Sequence, residues 1–297
     1  MIKILLLGNT GQLGWELERC LASLGQVTAL DFPDINLAEP QTILPILRQV
    51  TPQVILNATA YTAVDRAETE PDLAQAINAH APGLLADEAH RLGAAFIHYS
   101  TDYVFDGRKG SLYTEDDQPN PLGVYGHSKL GGEQAVLQVG GAGLVLRTSW
   151  VYSLRRDSFV TKVLSWARHQ PTLRLVTDQI SGPTCARQLA EITALLLSKA
   201  VAISPDPAAW LAERAGLYHL AGSGHCSRLE WGQAILRLDP RPQEQLTQEI
   251  LPALTADFPT PAQRPLFSAL DCTRFTHTFG LRLPDWQAAL RLAMEAL

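Results

Sequence analysis

The chain has 297 residues, 46% of them hydrophobic, and carries 24 Lys and Arg against 30 Asp and Glu for a net charge of −6. That apolar content supports a full core in one large or two modest domains, and the acidic balance argues against bulk attraction to nucleic acid or an anionic membrane surface. No apolar run reaches the roughly 18 residues of a membrane-spanning helix, and Met1-Ile2-Lys3 leads into a strand without the basic region of a signal peptide, so no membrane association is expected.

Residues 2–7, Ile-Lys-Ile-Leu-Leu-Leu, read as a buried strand. Gly8-Asn9-Thr10-Gly11-Gln12-Leu13-Gly14 follows, and Trp15 to Leu21 continues at helical period. Strand, glycine turn and helix make a pyrophosphate cradle, because the turn admits the phosphates to free N–H groups at the helix start. The spacing is G-x-x-G-x-x-G rather than the commoner G-x-G-x-x-G. Val27 to Leu30 reads as the second strand and ends in Asp31, where a carboxylate can accept from an adenosine ribose 2′-OH.

A proline-containing loop then leads to a predicted helix over Glu39–Val50, with Pro40 in its first turn. Val54–Ala58 is a strand, Asp72–Leu92 a long amphipathic helix capped by Gly93, and Ala95–Ser100 the next strand. Pro121–Val139 reads as a helix and Gly143–Thr148 as a further strand. Alternating βα units with apolar strands predict an α/β fold: a doubly wound, Rossmann-like parallel sheet covered on both faces. Ligands then lie at the carboxyl ends of the strands, which gathers Gly8–Gly14, Asn57–Thr62, Ser100–Thr101 and Thr148–Trp150.

The second half is less regular. Helices are expected at Phe159–Gln170, Arg187–Ala200, Ser227–Leu238 and Trp286–Ala296, with a strand at Gly216–Ala221. Ala202–Ala209 reads as a loop, and Leu251–Pro265 is proline-rich. The expected organisation is a dinucleotide-binding domain over residues 1–150 and a smaller C-terminal α/β substrate lobe over 151–297, with the chain free to cross back. The four cysteines are far apart, match no metal spacing and read as free thiols of a reducing cytosol, so the cytoplasm is the expected location.

Tyr125 and Lys129 carry the chemistry. Four apart on a helix, they leave one face about 5–6 Å apart at Cβ. An ammonium beside a phenol favours the phenolate and is expected to lower the Tyr pKa. Tyr-x-x-x-Lys alone is a weak signal; the glycine turn gives it weight. The Thr101 hydroxyl at the fourth strand's end either satisfies the strand terminus or donates to a substrate oxygen as it becomes an alkoxide. Trp150 fits core packing as well as ligand contact.

Together these features resemble the extended branch of the short-chain dehydrogenase/reductase superfamily and, within it, the dTDP-4-dehydrorhamnose reductase family. The matching segments are residues 8–17, 57–65, 98–107 (His-Tyr-Ser-Thr-Asp-Tyr-Val-Phe-Asp-Gly), 124–129, 146–152 and 259–265. The resemblance implies hydride transfer from NADPH or NADH to the C4 ketone of a dTDP-linked 4-keto-6-deoxy sugar, giving dTDP-L-rhamnose for cell-surface polysaccharide. It implies Tyr125 as the acid, Lys129 as its modulator and a ribose ligand, and Thr101 as the group orienting the ketone. Gly8, Gly11, Gln12, Leu13 and Gly14 would carry the pyrophosphate and Asp31 the ribose. Asn36 and Leu37 would meet the adenine, Asn36 standing where the family usually has Asp. Ala60, Tyr61 and Thr62 would flank the cofactor, and Thr62, Asp102, Trp150 and Arg264 the sugar nucleotide.

One departure is sharper. Some members dimerise around a cation held by three glutamates; Glu16 and Glu295 match two positions, but Arg187 stands at the third. A guanidinium repels a hard cation, so no metal is expected, Arg187 is free to pair with either glutamate, and the default is a monomer. Asp31 favours NADH, because a carboxylate repels a 2′-phosphate. Two other readings compete: a different nucleotide-sugar 4-ketoreductase or epimerase of the same branch, and a non-catalytic, cofactor-binding regulatory subunit, which would be expected to lack the Tyr or the Lys.

Overall fold

Parallel strands β1 (Ile2–Leu7), β2 (Gly25–Leu30), β3 (Val54–Asn57), β4 (Ala95–Thr101) and β5 (Gly143–Thr148) form the centre of the molecule in a computed structural model that describes residues 1–295. A sixth strand, Gly216–His219, pairs with β5, so the order across the sheet is Gly216–His219, β5, β4, β3, β1, β2. Register aligns the carboxyl ends: Leu7 lies opposite Leu30 and Asn57, and Thr101 opposite Thr148.

The inner strands β3 and β4 are buried along their whole length, as expected of a sheet covered on both faces. One face packs on helices Gln12–Leu21 and Ala186–Ile203 through Leu13, Leu17, Leu189, Leu196 and Leu197. The other packs on Ala81–Leu92 and Val124–Val139 through Leu85, Ala89 and Val136. A separate core, centred on Trp231 with Tyr152, Leu164, Ile235 and Leu290, lies within the second half of the chain. The four cysteines are free.

Prolines account for the main departures from the predicted helices. Glu39–Val50 is a 3₁₀ turn, Pro40–Ile43, followed by an α-helix from Leu44, because Pro45 fits only in a first turn. Asp72–Leu92 is interrupted by a π-turn, Ala76–His80, between helices Pro71–Gln75 and Ala81–Leu92. Pro82 has no N–H, and its ring would clash with the Asn78 carbonyl in a regular helix; the wider turn relieves both. Gly93 caps the end at φ 66°.

The Tyr125 helix starts at Val124 rather than Pro121, with Gly123 as its N-cap. Phe159–Gln170 ends early, at Ala167, and Arg187–Ala200 extends over Ala186–Ile203. Pro207–Ala212 is helical where a loop was expected, because Asp206 accepts from the Ala208 N–H and caps it. Glu249–Ala253 pairs in parallel with Thr172–Val176, a ladder the proline-rich sequence did not signal. The closing helix covers Trp286–Met294; Ala296, its expected last residue, lies outside the described residues.

Candidate active site

The glycine turn follows β1 directly. Gly8 takes φ 90° and its N–H donates to Leu30 O at 2.8 Å, while Gly11 N–H donates to Gly8 O at 3.0 Å. A Cβ on Gly14 would lie 2.0 Å from Gly8 O, so only glycine lets the helix pack on the turn. The N-cap, Gly11, supplies no side-chain cap, which leaves the first N–H groups of the helix for a ligand. Asp31, at the end of β2, accepts from Thr10 N–H at 3.0 Å and from Phe32 N–H at 2.8 Å, so its carboxylate is fixed beside the turn.

Thr101 closes β4, and its hydroxyl accepts from the Tyr103 N–H at 3.2 Å. Tyr125 is held edge-on against Tyr103, with ring centres 5.7 Å apart. Lys129 Nζ donates to Tyr99 O at 2.6 Å and lies 3.3 Å from His98 Nε2. His98 in turn sits 3.2 Å from Asn57 Nδ2. Burial and the Lys129 charge hold the His98 pKa well below its usual value.

The expected direction of the Tyr125 shift is reversed. Burial raises its pKa, the nearby Asp102 and Tyr103 add to the rise, and contact with the Thr101 hydroxyl opposes it. Lys129 is buried as well, which lowers its own pKa to about 8, and one of the three N–H donors of its ammonium goes to the Tyr99 carbonyl. Tyr125 is therefore a protonated phenol at neutral pH.

Asp102, also buried, accepts from Ser181 Oγ at 3.1 Å and from Ser268 Oγ. Burial raises its pKa to about 6, against the lowering effect of those hydroxyls. Both serines belong to the second half of the chain, so Asp102 ties the end of β4 to segments of that half.

Gly8, Gly11, Gln12, Leu13 and Asp31 line one cleft of about 910 Å³ with Ala60, Thr62, Thr101, Asp102, Tyr125, Lys129 and Trp150. Two buried oxygens on its wall, Gln12 Oε1 and Thr148 Oγ1, have no hydrogen-bond partner among the described residues. Trp150 takes a left-handed φ of 41°, stacks on Trp231 with ring centres 5.5 Å apart, and opens onto a second cleft of about 840 Å³. Arg264 lines the second cleft rather than the first, and its Nη2 donates to Asp65 at 2.8 Å.

Four other expected contacts line neither cleft. Gly14 packs the helix on the turn. The Tyr61 hydroxyl turns away to Glu70, while its backbone is bracketed by Asn78, which accepts from its N–H at 2.8 Å and donates to its carbonyl at 3.1 Å. Leu37 is a core side chain packed with Ile35 and Ile43. Asn36 accepts from the Ala38 N–H at 3.1 Å.

Sequence reading overlooked Asn78, Glu133, Arg147 and Arg228. Asn78 also donates to Ser128 Oγ at 3.0 Å, joining the Tyr61 loop to the Tyr125 helix. The available signals were Pro82, four residues after Asn78, and a lone arginine in the apolar strand Gly143–Thr148.

At the position of the expected charge substitution, Arg187 Nε lies 3.6 Å from Glu16. Glu295 accepts instead from Arg291 at 2.6 Å. No group of three or more His, Cys, Asp or Glu among the described residues is placed to hold a metal ion.

Known proteins match the chain over its whole length. The family model described as RmlD substrate binding domain matches residues 2–297. A dTDP-4-dehydrorhamnose reductase from Burkholderia thailandensis is 41% identical, over 100% of this chain and 99% of its own. Among solved structures, a dTDP-4-dehydrorhamnose reductase from Clostridium acetobutylicum aligns with TM-score 0.89 at 30% identity, covering 99% of each chain. Another, from Bacillus anthracis in complex with NADP, aligns with TM-score 0.88 at 27% identity, over 100% of this chain and 99% of its own. With the glycine turn, Thr101, Tyr125 and Lys129 gathered at one cleft, the chain belongs to the dTDP-4-dehydrorhamnose reductase family.

Proposed function

We propose that this chain reduces the C4 ketone of dTDP-4-dehydro-L-rhamnose to dTDP-L-rhamnose, with NADPH or NADH as hydride donor, as a cytoplasmic step in making cell-surface polysaccharide. The observation that carries this reading is the convergence of Tyr125, Lys129 and Thr101 with the glycine turn on one cleft that continues into a second. Intact Tyr125 and Lys129 weigh against the non-catalytic reading.

The cleft suits a nicotinamide dinucleotide. Free N–H groups at the start of the helix Gln12–Leu21 await a pyrophosphate, and the unpartnered Gln12 and Thr148 oxygens await donors. When bound, the cofactor supplies the hydride. Gly11, Gln12 and Leu13 would hold its pyrophosphate, Asp31 its adenosine ribose and Lys129 its nicotinamide ribose. Thr101 donates to the ketone oxygen and strengthens that bond as negative charge develops there. Tyr125 Oη then passes its proton to the alkoxide. The burial that raises the Tyr125 pKa keeps that proton available across the neutral range. Trp150 and Thr62 wall the sugar. Purified protein given dTDP-4-dehydro-L-rhamnose should oxidise NADPH, followed by nicotinamide absorbance; oxidation no faster than without the sugar nucleotide would refute the reading.

Asp31→Ala should weaken NADH more than NADPH, since it removes a ribose acceptor and a repulsive charge together. An unchanged ratio of the two KM values would detach Asp31 from the ribose.

The assembly reading is a monomer without a metal bridge. Arg187 supports it: a guanidinium within about 4 Å of a divalent cation opposes binding by several kcal/mol at an effective dielectric near 20. EDTA should leave activity and solution mass unchanged. A dimer that dissociates on chelation and returns with magnesium would overturn it.

A further inference from the structure

We propose that Arg228 grips the diphosphate of the bound nucleotide sugar at the joint between the two clefts, an assignment that rests on the nucleotide-sugar reading above. Both clefts share Trp150, Val151 and Arg228. The reacting sugar must lie against Tyr125 and Thr101 in the first. The second is walled by Phe159, Trp166, Leu173, Leu175 and Trp231 and has room for a nucleoside. A diphosphate linking the two has to cross the joint.

Four cationic side chains line the second cleft: Lys162, Arg174, Arg228 and Arg264. Lys162 pairs with Asp157 at 3.1 Å, Arg174 with Asp257 at 2.9 Å and Arg264 with Asp65 at 2.8 Å. Arg228 alone of the four has no ion pair and no side-chain hydrogen bond among the described residues, and its guanidinium instead rests on aromatic faces. It lies 3.5 Å from the Trp150 ring centre, 4.8 Å from Phe159 and 5.4 Å from Trp231. Those rings fix its plane and displace water, yet they satisfy none of its in-plane N–H donors. Its base is rigid, since Ser227 and Glu230 form a reciprocal capping box around it.

Burial brings the Arg228 pKa down to about 10, so the group stays charged at neutral pH while poorly solvated. An isolated, half-buried guanidinium is costly unless an anion completes it, and its fork suits two phosphate oxygens. The cofactor pyrophosphate has its own seat at the glycine turn, which leaves the substrate diphosphate for Arg228.

The test titrates dTDP and thymidine into the NADPH-loaded wild type, Arg228→Lys and Arg228→Met. Arg228→Met should raise the dTDP Kd about 10–100-fold, from the loss of charged hydrogen bonds. Thymidine and NADPH affinities should hold at wild-type values, and the substrate KM should rise more than kcat falls. Arg228→Lys should recover part of the loss. On unmodified protein, dTDP should protect Arg228 from phenylglyoxal, read by mass spectrometry, and neither thymidine nor NADPH should; this arm decides the matter if a variant does not fold. Normal dTDP binding by Arg228→Met, or protection by NADPH or thymidine, overturns the assignment while leaving a turning-over wild type, and so the reductase reading, intact. A wild type that neither binds dTDP nor reduces the sugar nucleotide sinks both.

Discussion

Tyr125→Phe is expected to lower turnover about 10²–10⁴-fold while leaving the NADPH Kd at its wild-type value. The substitution keeps the ring that packs edge-on against Tyr103 and removes only the phenolic proton. Burial raises the Tyr125 pKa, so the wild-type group is an acid throughout the neutral range and needs no neighbouring cation to hold it ready. The loss should therefore fall on kcat, not on binding. Single-turnover mixing of NADPH-loaded protein with substrate reads the chemical step directly. A variant within a few-fold of wild type would remove Tyr125 from proton transfer.

Glu133→Ala should be the most destabilising single change near the site. Arg147 donates to Glu133 through Nε at 2.8 Å and Nη2 at 2.6 Å, both side chains are 2% exposed, and Ser100 Oγ donates to the same carboxylate at 2.5 Å. Arg147 also lies 3.4 Å from His219 Nε2 on the sixth strand. The cluster thus joins the helix that carries Tyr125 and Lys129 to β4, β5 and the strand Gly216–His219. Removing one partner strands a buried guanidinium at a cost of about 3–5 kcal/mol, or roughly 5–8 °C in Tm for a chain of this size. Glu133→Gln keeps an acceptor oxygen and should lose less. Thermal unfolding of both variants checks the order; an unchanged Tm for Glu133→Ala would mean the pair does not hold the site.

The alternation of apolar runs and glycine or proline punctuation made β1 to β5 legible: β3 and β4 are buried in full, β1 and β5 at all but one residue each, and the edge strand β2 is mostly half-buried. The strand at Gly216 was legible as a strand but not as the neighbour of β5. Its partner is some 70 residues away, and no local pattern encodes so distant a pairing. Pro82 signalled a disturbance that was passed over, and the π-turn it demands is what aims Asn78 at the Tyr61 backbone and at Ser128. Tyr125, Lys129, Thr101 and the glycine turn stood out because their chemistry lies in local spacing. The Glu133–Arg147 cluster and Arg228 did not, since their meaning depends on which partners the fold brings, or fails to bring, to each charge. The Tyr125 shift was misjudged for the same reason: four-residue spacing brings the ammonium near, but burial and the Tyr99 carbonyl decide what it does there.

The central claim is hydride delivery to C4 of a dTDP-linked keto sugar with Tyr125 as the acid. NADPH carrying deuterium at the transferable C4 position of its nicotinamide tests it most directly. Incubated with dTDP-4-dehydro-L-rhamnose and this protein, it should yield dTDP-L-rhamnose with one deuterium at sugar C4, seen by proton NMR as loss of the H4 signal, and Tyr125→Phe should form that product far more slowly. Product lacking deuterium at C4, or a sugar epimerised without consumption of the cofactor, would contradict the account.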